Sequence, residues 1–279
     1  MLRYTADIRS LVFISSAILL KAIFWMYGEH PFVWLIPISY LTFLCFIIKH
    51  NHLHCGMFKN KKYNRIMDYL LTLLNGNPAT GMYVIHVLNH HEHINDKEDW
   101  GYTNNVKYQW NILNLIIYPI ITTGNFIKGK NKFLKEKGNE IFQTRESREK
   151  VILFSFYILL LIIDPLQTIW YIILPNLVAQ MIVVATNLLQ HDVGNRDSEI
   201  NHSVNFTNPI LNWLTFNNGY HTIHHLYPEL HWSLCPEHHK KYVKPHIDPK
   251  LDRESFLETM FKFYIWPGKR FLAENQIQE

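Results

Sequence analysis

Two apolar stretches near the start of the chain have the length of membrane-spanning helices. Residues 11–27 are apolar except for Lys21, and residues 32–48 carry no charged side chain. A helix of about 20 apolar residues crosses the hydrocarbon core of a bilayer. The polar connection at residues 28–31 is short. The pattern therefore predicts two spans, 11–27 and 32–48, joined as a hairpin.

A second apolar stretch, residues 151–189, is too long for one span. Asp164 and Pro165 interrupt it, and proline disfavours helix for the residue before it. We predict two further spans, about 148–163 and 168–190, the first being the end of a longer amphipathic helix. A soluble helical core is a weaker interpretation, because buried soluble helices are seldom apolar all round in adjacent pairs.

The distribution of charge predicts the orientation in the membrane. The connections at 28–31 and 164–167 hold no lysine or arginine, whereas the segment 49–150 holds many. Positively charged segments stay on the cytoplasmic side. The predicted fold is an all-α integral membrane protein, a single domain over residues 1–279 with four transmembrane helices in two hairpins. Its cytoplasmic helical cap comprises 49–147 and 191–279, and both termini are cytoplasmic.

The composition excludes several classes of function. The net charge of +4 is small for a nucleic-acid-binding protein, so no nucleic-acid partner is expected. The three cysteines form no CxxC pair, which argues against a disulfide framework and a cysteine zinc site. Histidine is the exception in an otherwise ordinary composition, with 17 copies.

Eight of the 17 histidines form three clusters with the spacings HxxxH, HxxxHH and HxxHH. On a helix, residues three or four apart share a face, so each cluster can direct its imidazoles to one point. No complete predicted span separates the first two clusters, and two spans separate the second from the third. All three then lie on one membrane face and can meet. The clustered residues are His50, His54, His86, His90, His91, His221, His224 and His225.

So many imidazoles exceed the usual four ligands of one zinc ion, which implies two metals. Neutral imidazole suits iron, zinc, copper or nickel. His191 follows the last predicted span on the same face and is a further candidate ligand, whereas His202 is less certain. Asn217 or Asn218 could hold a water on the metal. The acidic residues expected to orient ring N–H groups are Glu92, Asp96, Glu98, Asp99 and Asp192.

The other histidines are expected to have different roles. His30 lies on the opposite membrane face and is excluded as a ligand. His52 and His93 are out of phase with their clusters, so a surface or hydrogen-bonding role is favoured. A surface or packing role is expected for His231, His238, His239 and His246.

The three boxes, their order and the two spans between the second and third resemble the membrane fatty acid desaturase and hydroxylase superfamily. The stretch 217–232 is similar to the third-box region of its small bacterial members, and the resemblance covers roughly residues 35–245. It implies that the eight box histidines, with His191 as the extra histidine after the last span, hold two non-haem irons that use O2 as co-substrate.

The implied function is a desaturase that introduces a double bond into a fatty acyl chain of a lipid or carrier-bound substrate, in a bacterial plasma membrane. No flavin, cysteine-cluster or haem-binding motif is visible, so electrons are expected from a separate partner of ferredoxin or cytochrome b5 type. The HxxxHH spacing also occurs in alkane-hydroxylase-like relatives. A hydroxylase or ketolase of acyl, alkane or isoprenoid chains is therefore the alternative.

A different class of function is a histidine-rich metal transporter or a zinc hydrolase. A transporter should place polar ligands inside its spans, and here the clusters lie outside them. A zinc hydrolase needs about three ligands and an open position. Both alternatives are therefore less favoured than the oxidative enzyme.

Overall fold

The computed structural model of the chain describes residues 1–268, and its regular structure is predominantly helical. The α-helices are α1 Asp7–Tyr27, α2 Pro31–His54, α3 Lys61–Asn75, α4 Ala79–Tyr83, α5 His91–His93, α6 Asn111–Lys135, α7 Glu140–Ile163, α8 Pro165–Thr168, α9 Leu174–His191, α10 Pro209–Leu214, α11 His221–Leu226, α12 Cys235–His238 and α13 Phe256–Thr259.

Several shorter elements continue or connect these helices. The π-helices are Val84–His90, Ile169–Ile173, His239–Val243 and Met260–Ile265, and the 3₁₀ turns are Thr103–Asn105 and Trp232–Leu234. Two short strands, β1 Asn205–Phe206 and β2 Asp252–Arg253, pair in parallel, with Asn205 opposite Asp252. The end of the predicted cap, residues 269–279, lies outside the described residues.

Three helices in the described part of the chain are long and apolar enough to cross a membrane: Asp7–Tyr27, Pro31–His54 and Pro165–His191. They contain the predicted spans 11–27, 32–48 and 168–190. The remaining predicted span, 148–163, is the end of α7, whose first half carries charged residues from Glu140 to Lys150. Its uncharged part is short for a bilayer core, which takes about 20 apolar residues.

The chain divides into two compact units, and the first comprises Met1–Val87 and Gly129–Val183. In this unit α1 packs on α2, and α3 and α4 pack on α7. Hydrogen bonds offset the cost of burying several polar groups in this unit. The carboxylate of Glu149, on α7, accepts hydrogen bonds from the backbone N–H (2.8 Å) and hydroxyl (2.7 Å) of Thr80. These bonds fix α4, which leads into the second histidine box.

The second unit comprises Leu88–Lys128 and the chain from Val184 onward. Its hydrophobic core includes Leu188, Val204 and Ile223, all fully buried. A buried polar contact fastens α6 to α9 inside this unit, because Asn187 donates hydrogen bonds to the Tyr118 hydroxyl (2.6 Å) and the Gly101 carbonyl (3.0 Å). The core therefore surrounds the end of α9 and the third histidine box.

Candidate metal centre

The first unit brings three predicted ligands together, and we call His50, His54 and His86 the first histidine group. His50 and His54 lie one turn apart at the end of α2, and His86 lies on the π-helix Val84–His90. The Nε2 atoms of His50 and His86 are 2.7 Å apart. One ring nitrogen from each of the three lies within 4.8 Å of the others. The imidazoles converge as the spacing predicted.

His52 lies between these two ligands in sequence but points elsewhere. Its Nδ1 accepts a hydrogen bond from the Met57 backbone N–H (3.2 Å), and its Nε2 lies 3.4 Å from the Asp68 carboxylate. The side chain is buried, with an exposed fraction of 4%. Its place inside the unit agrees with the hydrogen-bonding role expected from its phase.

The second unit brings together four predicted ligands, which we call the second histidine group: His90, His191, His221 and His225. One ring nitrogen from each lies within 4.8 Å of the others, and all four side chains are buried. The Nε2 atom of His221 is 2.8 Å from that of His191 and 3.0 Å from that of His225. Elements distant in sequence, α9 and α11, thus contribute to one point.

The electrostatics favour a neutral ring for two members of the second histidine group, His191 and His225. Burial holds the pKa of His225 well below its usual value, and the adjacent His91 and His221 lower it further. Neutral imidazoles with converging Nε2 atoms present lone pairs to one another, which is unfavourable unless a proton or a cation lies between them. A divalent transition metal fits this donor set, because neutral imidazole is its common protein ligand.

Asp99 orients one ligand of the second histidine group. Its Oδ2 accepts the Nδ1–H of His90 at 2.7 Å, and its two oxygens also accept the backbone N–H groups of Asn95 (2.9 Å) and Gly101 (2.7 Å). Burial alone would raise the pKa of Asp99, but His90 and these N–H groups lower it overall. With Nδ1–H donated to the carboxylate, Nε2 of His90 is the atom available to a metal, as in many metal sites.

The model of the fatty acid desaturase family matches residues 9–254, which includes both histidine groups. The chain belongs to the fatty acid desaturase family. A comparison with curated protein sequences returns no match. The family is membrane-associated and typically di-iron. Together with the histidine groups, membership supports a di-metal oxidoreductase.

Two further predicted ligands of this family member lie beside the second histidine group. The Nε2 atoms of His91 and His224 are 3.0 Å apart, and the ring of His91 stacks on that of His225 with centroids 4.4 Å apart. All nine histidines predicted as ligands therefore have another of the nine as a neighbour inside their own unit.

The acidic residues named from the sequence have different surroundings. Asp96 forms an ion pair with Arg196, and Glu98 lies 3.4 Å from the non-ligand His93. Glu92 is exposed and Asp192 is half-buried. Asp99 forms a hydrogen bond to a predicted ligand, His90, and its loop position gave no periodic signal in the sequence.

The histidines outside the nine also differ from one another. His30 and His246 are exposed. His231 and His239 are buried at 2%, so packing rather than surface exposure describes them, and His239 lies 3.0 Å from the Asp252 carboxylate. His202 is 3% exposed, and burial lowers its pKa. The side-chain amide of Asn217, one of two residues expected to hold a water, donates to the Trp232 carbonyl at 3.0 Å.

Proposed function

We propose that this chain is an O2-dependent desaturase that introduces a double bond into the fatty acyl chain of a lipid or carrier-bound substrate. The observation that carries the proposal is that imidazoles converge within each of two histidine groups in a member of the fatty acid desaturase family. The reaction balances as R–CH2–CH2–R′ plus O2, two electrons and two protons giving R–CH=CH–R′ and two waters. A separate protein donor supplies the electrons.

In this proposal the nine histidines hold two iron ions. The bound irons would supply the one-electron chemistry that activates O2. The chain's own contribution is to aim the imidazoles and to exclude water. Asp99 aims the ring of His90 through its 2.7 Å hydrogen bond. The burial of His191 and His221, at 0% and 4% exposure, excludes bulk water from the second histidine group.

We also propose four spans in a bacterial plasma membrane, with the metal site and both termini cytoplasmic. Three long apolar helices and the apolar end of α7 support this. Their surfaces carry exposed apolar side chains: Val33 is 65% exposed, Ile36 77% and Ile162 76%. Such surfaces are unfavourable in water and suit lipid. Labelling of single introduced cysteines from either side of intact cells would test this; an externally labelled residue 140 would contradict it.

The electron donor is proposed to be a small acidic protein of ferredoxin or cytochrome b5 type. Exposed Lys59, Lys61 and Lys62 lie together near the start of α3 and offer a positive docking surface. Lys61→Glu with Lys62→Glu should raise the KM for the donor while leaving the metal content unchanged. An unchanged KM at low salt would remove this part of the proposal.

A hydroxylase is the second candidate, because the HxxxHH spacing of the second box also occurs in alkane-hydroxylase-like relatives. Hydroxylation would consume R–H, O2, two electrons and two protons, and would give R–OH and one water. The two candidates share the metal centre and differ in the fate of the substrate radical. Mass spectrometry of the products separates them, because the desaturated product is lighter by two hydrogens and the hydroxylated product is heavier by one oxygen.

The decisive experiment expresses the chain with a donor system and compares the lipids with those of cells carrying His225→Ala. His246→Ala is the matched control, since His246 is exposed and outside both groups. A new double bond in the wild type and the control but not in His225→Ala supports desaturation. A hydroxyl without a new double bond selects the hydroxylase. One zinc and no iron in the purified protein would overturn both and favour a hydrolase.

A further inference from the structure

His202 is a buried histidine that belongs to neither histidine group. Its side chain is 3% exposed, and its ring centroid is 5.3 Å from that of His225. The set of four whose ring nitrogens lie within 4.8 Å of one another does not include it. His202 therefore lies beside the second histidine group.

The tautomer of His202 follows from its hydrogen bond. Nδ1 lies 2.9 Å from the Glu199 carbonyl oxygen, which can only accept, so Nδ1 carries the proton. In the neutral ring Nε2 is then a bare acceptor. This atom is buried, and within residues 1–268 no protein group is hydrogen-bonded to it. Buried acceptors without a partner are rare in folded proteins, so a donor is expected there.

The surrounding loop holds His202 in this place. A methyl group added at Gly194 would lie 2.1 Å from the His202 carbonyl oxygen, so only glycine allows the backbone to approach so closely. On the other side, Ser203 contacts the Thr222 hydroxyl at 2.9 Å, and Asn205 accepts the Thr222 backbone N–H at 2.9 Å. Thr222 belongs to α11, which carries His221 and His225. The loop is therefore fastened to the third histidine box.

We propose that His202 is a positioning residue whose Nε2 accepts a hydrogen bond from a water molecule bound to the metal of the second histidine group. The proposal about His202 rests on one part of the proposed function, namely that the second histidine group holds a metal. A water molecule would connect Nε2 of His202 to the metal through a metal–oxygen bond of about 2.1 Å and a hydrogen bond of about 2.8 Å. The water supplies the donor that Nε2 lacks, and His202 fixes where that water sits.

The test uses the full chain loaded with Co²⁺ and compares His202→Leu, His202→Gln and the control His246→Leu. Leucine removes the acceptor, whereas the glutamine side-chain oxygen can replace Nε2. At saturation every variant should bind as many metal ions as the wild type. His202→Leu should bind the second-group metal about ten- to a hundredfold more weakly, as when other partners of metal ligands are removed.

A second readout reports the water itself. Electron–nuclear double resonance in H2O and D2O detects exchangeable protons on a cobalt-bound water. The signal from one cobalt should be lost in His202→Leu, and retained in His202→Gln and His246→Leu. If His202→Leu does not fold, a His202→Gln protein with wild-type affinity and signal still supports the proposal.

Two results overturn it. Wild-type affinity and signal in His202→Leu would reduce His202 to packing. Loss of a metal ion at saturation, with one fewer imidazole by X-ray absorption, would make His202 a ligand instead. Neither result depends on turnover. A wild-type protein that binds two metals but forms no lipid product would refute the proposed function and leave this inference standing.

Discussion

Replacing Asp99 with asparagine removes one buried charge while leaving the side-chain volume nearly unchanged. The carboxylate of Asp99 accepts three hydrogen bonds, from His90 Nδ1–H and from two backbone N–H groups. An amide has one oxygen and one NH2 group, so at least one of these donors would face another donor. Leaving a buried donor without an acceptor costs about 1–3 kcal/mol.

The loss of this hydrogen bond should lower both the metal affinity and the stability of the protein. Because Asp99 orients His90, we expect Asp99→Asn to bind the second-group metal about ten- to a hundredfold more weakly, which is about 1.4–2.8 kcal/mol. The assays are competition with a coloured chelator and thermal unfolding of the metal-free protein. Asn89→Ala is a matched control, because the Asn89 side chain holds the same loop through the Glu98 carbonyl and the Trp100 N–H and, within residues 1–268, is hydrogen-bonded to none of the nine histidines.

The pH dependence gives a further check on the same variant. Because the pKa of Asp99 is lowered in the folded protein, its stabilisation is fully present above the ordinary aspartate pKa of about 3.9 and is lost as the pH falls through the lowered value. The difference in unfolding free energy between wild type and Asp99→Asn should therefore shrink only in strong acid. A difference that is absent at neutral pH, or a wild-type metal affinity in the variant, would refute the reasoning.

Three other predictions concern the ligands and the helical hairpin. His191→Ala should lower the metal content and turnover severely, whereas His30→Ala should change neither; normal iron content in His191→Ala would make that residue interfacial only. Removing the metals with a chelator should lower the Tm, by the binding free energy that only the folded state gains; an unchanged Tm would mean that the groups hold no metal tightly. Gly28→Ala should destabilise the chain by about 1–3 kcal/mol, because its methyl group would lie 2.2 Å from the Phe24 carbonyl oxygen; a Tm equal to that of the wild type would show that the hairpin relaxes freely.

The features predicted most accurately from the sequence were the helical spacing of the histidines and the long apolar helices. His50 and His54 are four residues apart and lie together at the end of one helix, and three of the four predicted spans fall in long apolar helices. Helical spacing and apolar length are local properties, so they can be recognised without tertiary contacts. The family was also recognised from its boxes, and the match over residues 9–254 confirms it.

Features that depend on loop conformation could not be predicted in the same way. Nothing in the sequence favoured one of the five acidic residues near the boxes over the others. The fold distinguishes Asp99, because its loop places the carboxylate in hydrogen-bonding distance of His90 Nδ1. His239 was expected at the surface or in packing, and the pairing of β1 with β2 places Asp252 beside it in the interior. Such contacts join residues distant in the chain, and no periodic pattern marks them.

The π-helix Val84–His90 changes what the spacing of the second box can tell about the reaction. A π-helix closes its hydrogen bonds over five residues rather than four, so one turn takes up an additional residue without disturbing the helix on either side. HxxxHH differs from HxxHH by one residue, and here that residue falls inside the π turn between His86 and His90. The π turn therefore takes up the extra residue of the longer box, so the length of the box alone does not distinguish an alkene product from an alcohol product.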